Sequence, residues 1–145
     1  MSLAPAFAAT PYVASASLAA VTACATRAPQ AVAGLAAANI FQLVPASTSG
    51  VRIDQIRVKG ASSSITATTA AQTVTIWESD GVTAWPIDEI VVTAVAPSTT
   101  VASFQAQQVY SNLSLPATHS LWVSTSVTTT AATTALSVTA VGGLY

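Results

Sequence analysis

One histidine, one cysteine and five carboxylates are the chain's whole stock of His, Cys and acidic side chains in 145 residues. His119 has no His, Cys or carboxylate at ligand-like spacing, so a metal site built from this chain alone is not expected. It follows Pro116-Ala117-Thr118, which predicts an exposed turn histidine. Serines are plentiful, but none sits in a G-x-S-x-G context and only His119 is available as a base. Asp88-Glu89 is the one adjacent carboxylate pair. Neighbours on a regular strand point to opposite faces, so the expected role is cross-sheet pairing with Arg52, Arg57 or Lys59 rather than acid–base chemistry. The expectation is a protein that is not an enzyme and holds no cofactor.

Aromatic side chains are the other groups capable of recognition. Trp77 is out of phase with Val74 and Ile76, so it points away from the face they share, and Trp85 lies near it across a hairpin. Such a pair on an outer face is an interface anchor or a binding platform. Trp77, Trp85, Tyr12 and Phe7 are therefore the interface candidates.

The surface that must carry these groups is unusual. Only 6% of the chain is charged against 52% hydrophobic, where an ordinary domain has about 25% charged residues. Thr, Ser, Ala and Gln replace charge, as in Ser62-Ser63-Ser64-Ile65-Thr66-Ala67-Thr68-Thr69. Small uncharged side chains cost little to desolvate and lose little rotamer entropy on burial, which suits a protein packed against copies or partners. A net charge of −1 gives little repulsion to keep monomers apart. A homo-oligomer, with a trimer as the first expectation, follows.

Of the four cations, Arg52, Arg57 and Lys59 cluster around Asp54, which reads as a solvated strand face. It is too sparse for phosphate neutralisation, so no nucleic-acid partner is expected. No run of 18 large apolar residues calls for a membrane span. Val21-Thr22-Ala23-Cys24 has the order of side-chain sizes of a lipoprotein cleavage site. No Lys or Arg precedes Arg27, and Pro5 and Pro11 break the apolar run, so Cys24 reads as a buried free thiol.

The elements that position these residues are strands. Ile40 to Val44 is a short apolar run closed by Pro45. Val51-Arg52-Ile53 and Ile56-Arg57-Val58-Lys59 alternate one residue out of phase, which predicts a β-bulge at Asp54-Gln55. Thr73 to Trp77 alternates into an Asp80-Gly81 hairpin turn, returning over Ala84 to Ala94 with a second slip across Asp88-Glu89. Leu113/Leu115, then Leu121/Val123/Thr125/Val127, then Leu136/Val138/Ala140 mark later strands, and Gly142-Gly143 is expected to free the C-terminus.

Near the N-terminus, strands over Tyr12–Ser17 and Leu18–Thr26 compete with a helix over Pro11–Thr26 started by Thr10-Pro11. The fold class expected is all-β: an antiparallel, jelly-roll-like sandwich of about eight strands. Residues 1–12 are assigned to an extended arm and 13–145 to one domain.

The order of several segments resembles a group of small tailed-bacteriophage virion proteins. The segments are Gly50-Val51-Arg52-Ile53-Asp54-Gln55-Ile56-Arg57-Val58-Lys59, Val74 to Gly81, Asp88-Glu89-Ile90, Thr93 to Ser98 and Asn112-Leu113-Ser114-Leu115-Pro116-Ala117. The resemblance covers roughly residues 38–145. It implies a β-sandwich decoration (cement) protein on the outer surface of the phage head, with the major capsid protein as partner and no catalytic residues. A receptor- or carbohydrate-binding fibre module and a major coat subunit are the alternatives.

Overall fold

The computed structural model describes residues 10–32 and 39–145. Among these residues there are nine strands and no helix: β1 (Thr10–Leu18), β2 (Gln30–Ala31), β3 (Ile40–Val44), β4 (Val51–Gly60), β5 (Gln72–Ser79), β6 (Thr83–Val92), β7 (Gln105–Leu115), β8 (Ser120–Thr125) and β9 (Leu136–Leu144). One sheet has the order β1-β9-β4-β7, the other β2-β6-β5-β8-β3. The antiparallel pairs nest, β1 with β9, β3 with β8, β4 with β7 and β5 with β6. This is one long antiparallel hairpin with its tip at the β5–β6 turn. Rolled over, it also brings β4 to β9 and β5 to β8. The result is the expected sandwich in jelly-roll connection, with β2 a two-residue addition outside β6.

The core follows from strand parity. Val51, Ile53, Ile56 and Val58 are all buried, together with Leu136, Val138 and Ala140 from β9. They meet Val74, Ile76, Ile90, Val92, Leu121 and Val123 of the other sheet. Four apolar residues of β4 share one face because the register shifts between Ile53 and Gln55 against both neighbours, so the expected bulge is present. The second slip lies at Ile87 rather than across Asp88-Glu89: Ile76 faces Asp88, but Trp77 faces Pro86.

The β5–β6 turn forms as its sequence requires. Gly81 has φ +95°, and Asp80 Oδ1 accepts from the backbone N–H groups of Val82 and Thr83, each at 2.8 Å.

Gly142 and Gly143 do not free the C-terminus. They pair with Tyr12 and Pro11 on one side and with Ile53 and Arg52 on the other. A Cβ on Gly142 would stand 1.8 Å from the Arg52 carbonyl oxygen, so the glycine lets β9 pass the β4 bulge.

The N-terminal third departs most from expectation. β1 already begins at Thr10, so residues 10–12 belong to the sheet rather than to an arm. The expected second strand over Leu18–Thr26 is absent, and so is the competing helix. Residues 19–29 run as irregular chain: Val21 packs in the main core, and Cys24 packs beside Trp77 on the outward side of the β2-β6-β5-β8-β3 sheet. They are tied down by Val21 N–H to Thr129 Oγ1 (3.1 Å), Ala23 N–H to Thr128 Oγ1 (3.2 Å) and Cys24 N–H to the Thr125 carbonyl (2.8 Å). Threonine hydroxyls and a strand end thus take up backbone donors that a strand partner would otherwise satisfy.

Candidate functional site

Beneath that covering segment lies a second small core of Cys24, Ile40, Trp77 and Ala84, with Val32 and Trp122 packed against it. Trp77 does point away from the face of Val74 and Ile76, but the face it occupies is roofed, and the side chain is 0% exposed. Its Nε1–H donates to Ser124 Oγ at 2.8 Å. Trp77 is therefore a core residue and not an interface anchor, and it forms no outward pair with Trp85. Cys24 is buried as a free thiol, as expected.

The other aromatic candidates separate similarly. Tyr12 packs its ring against the main core from β1, and burial raises its phenol above the usual range. Phe7 lies outside the described residues. Trp85 keeps 39% exposure at the position on β6 that pairs with Glu78. Val82 (72% exposed) and Ile87 (39%) follow the same strand and its turn. Beyond Ala84, β6 has no strand on its outer side among the described residues. Val82, Trp85 and Ile87, with Val91 further along β6, are exposed apolar side chains of this strand and its turn, of which the sequence signalled Trp85 alone; Val13, Ile65 and Val109 are exposed elsewhere.

Every carboxylate is locally engaged. Asp54 takes both Nε–H and Nη2–H of Arg52 (2.7 and 3.0 Å), holding the guanidinium above its ordinary pKa. Asp80 caps the hairpin, and the amides of Thr83 and Val82 hold its carboxyl below the usual range. Asp88 accepts from Tyr110 Oη at 2.7 Å, and Glu89 pairs with Arg27. The expected pairing of Asp88-Glu89 with Arg52, Arg57 or Lys59 does not form. Those cations lie on the outward face of the opposite sheet, while Asp88 points inward toward β7.

His119 is half-buried rather than an exposed turn residue, with Nδ1 at 2.8 Å from Glu78 Oε1. No serine hydroxyl touches its ring and no group of three metal-ligating side chains exists among the described residues. The arrangement is a hydrogen bond that ties the β7–β8 turn to β5.

The outward face of the β1-β9-β4-β7 sheet is ordered in rows: Val13, Val141, Gln55 and Val109 form a largely apolar one, and the two beside it are polar. One row across the strands is Ser15, Thr139, Arg57 and Gln107; the next is Ser17, Ser137, Lys59 and Gln105. At the β4–β7 side a cleft of about 520 Å³ is lined by Arg57, Val58, Lys59, Gln105, Ala106 and Gln107.

No protein-family model, curated protein or solved structure matches the chain.

Proposed function

We propose that the protein is a non-catalytic structural component of a virus particle, a decoration protein that binds the outer shell of a tailed-phage head and self-associates there. The reading rests first on the segment order from Gly50 to Ala117, which resembles small phage virion proteins. The observation that carries it in the structure is the apolar stretch of Val82, Trp85 and Ile87 along an open strand edge, on a chain with little charge elsewhere. An exposed aromatic flanked by aliphatic side chains is the composition of an interface centre. Jelly rolls recur in viral capsid domains, a fold-level analogy and no more.

The contact that follows is apolar and hydrogen-bonded, made by the β6 edge and the segment before β1, with the major capsid protein and further copies of this chain as partners. Each copy needs a patch of about 800 Å² per partner, and repetition over a shell multiplies weak contacts.

The test is to mix purified protein with emptied heads and image them by electron cryo-microscopy. Symmetry-related copies over the whole shell support the reading. Density at one vertex alone, or none, overturns it. Occupancy should hold from low to high salt, since no screened attraction carries the contact, and Trp85→Ser with Ile87→Ser should remove it.

A further inference from the structure

All five carboxylate side chains of the chain lie among the described residues, and none of them reaches Arg57 or Lys59. These are two of only four cations, and they stand two residues apart on the outward face of β4. That spacing sets their Cα atoms roughly 6.8 Å apart. Gln107 and Gln105 stand directly across from them on β7, while Thr139 and Ser137 stand across on β9.

The group is also oriented. Arg57 Nε–H donates to Gln55 Oε1 at 2.9 Å, and Gln55 Nε2–H donates to Gln107 Oε1 at 2.6 Å. This relay fixes the guanidinium by its Nε edge and leaves both Nη groups without a protein acceptor among the described residues. It also leaves the Gln107 amide N–H₂ as a donor into the cleft. A guanidinium held this way presents a fork matched to a planar carboxylate.

We propose that this cleft binds an acidic glycan, a saccharide of the uronic-acid type. Its carboxylate would sit between Arg57 and Lys59, and its hydroxyls against the amides and hydroxyls on either side. The chemistry of the lining selects this class. The amides of Gln105 and Gln107 line the cleft, and the hydroxyls of Thr139 and Ser137 stand on the other side of the cations on β9, outside the lining. Both kinds of side chain donate and accept, as sugar hydroxyls do. Lys59 and Gln105 also border a second cleft, of about 360 Å³, whose wall mixes hydroxyls such as Ser64, Ser98 and Ser103 with apolar side chains such as Ile65 and Val101. Two cations are too few for a phosphate polymer, and no aromatic side chain lines either cleft to stack a base. The site is separate from the β6 edge, so the glycan reading stands or falls apart from the particle reading.

The experiment titrates the full chain with a short oligogalacturonate, followed by calorimetry and by amide shifts on β4 and β7. Saturable binding in the millimolar range or tighter is expected. The methyl-esterified oligomer should bind at least tenfold more weakly, and so should the acid form on a chain carrying Arg57→Gln and Lys59→Gln. Arg52→Gln should leave affinity unchanged, because Asp54 already neutralises Arg52. Both substituted cations are exposed, so circular dichroism should match the parent. No saturation, equal binding of the ester, full affinity in the double variant, or equally tight binding of a hexaglutamate peptide would each overturn the proposal.

Discussion

Tyr110 Oη donates to Asp88 Oδ2 at 2.7 Å, and through this bond β7 of one sheet is fastened to β6 of the other. The Tyr110 ring also packs against the main core, so the bond links the two sheets at a partly buried site.

Burial and then the hydrogen bond and charge of Asp88 push the Tyr110 phenol well above its ordinary value of 10.0. The raised value belongs to the folded state, so the native chain holds its phenolic proton where the unfolded chain loses it. Stability from this group is complete below about pH 10 and falls as pH rises above that toward the folded value. Absorbance titration at alkaline pH should show one tyrosine ionising late, with unfolding. Tyr110→Phe should remove that late phase and cost about 1 kcal/mol in urea melts at neutral pH. An unchanged alkaline profile in the variant would place the effect elsewhere.

Two tryptophans of the same hairpin should behave oppositely. Trp77→Ala empties the small core beside Cys24 and Ile40 and orphans Ser124, and its expected cost is about 3–5 kcal/mol. Trp85→Ala removes a side chain that is 39% exposed and should cost about 1 kcal/mol or less. Paired urea melts decide this, and comparable losses at the two positions would contradict the burial described above.

The parity of apolar residues carried most of this fold, and it fails where polar residues face inward or cover is irregular. The β4 bulge was legible because Val51/Ile53 and Ile56/Val58 are all apolar and change phase between them. The β6 bulge was placed too late because Asp88 points inward to meet Tyr110, so its polarity disguises the phase. The orientation of Trp77 was readable from its neighbours, but its burial was not. The segment that supplies its cover, residues 19–29, has no strand period and no helix period; most of its residues are small, and it is tied by threonine hydroxyls, the Thr125 carbonyl and the Arg27–Glu89 pair. The cleft at Arg57 was half legible: the cations were visible as a cluster. That Asp54 engages Arg52 is a contact between residues two apart within β4, and the sequence pattern alone did not choose it over Arg57 or Lys59.

Gly142 should be the least replaceable glycine. Gly142→Ala places a methyl 1.8 Å from the Arg52 carbonyl oxygen and 3.1 Å from the Ile53 Cα, both backbone of the bulge. Neither can give way without opening the β4–β9 ladder, so a loss on the order of 3 kcal/mol or more is expected, read as a drop in the urea midpoint. Gly81→Ala is the control. Its Cβ meets nothing within 4 Å, and only the positive φ is strained, so a loss of roughly 1 kcal/mol should follow.

Strong acid should loosen the β5–β6 turn. Asp80 accepts from the N–H groups of Thr83 and Val82, and these bonds hold its carboxyl below the ordinary 3.8. The lowered value belongs to the folded state, so the contribution is present above the unfolded pKa and is lost as pH falls through the folded one. Carboxyl NMR titration should show Asp80 protonating later than an unrestrained aspartate as acid is added. The amides of Val82 and Thr83 should lose hydrogen-exchange protection over the same interval. Asp80→Asn keeps an oxygen acceptor and should retain the turn while abolishing that pH dependence, whereas Asp80→Ala should expose both amides at every pH. If Val82 and Thr83 exchange alike in all three proteins, the carboxylate does not hold the turn.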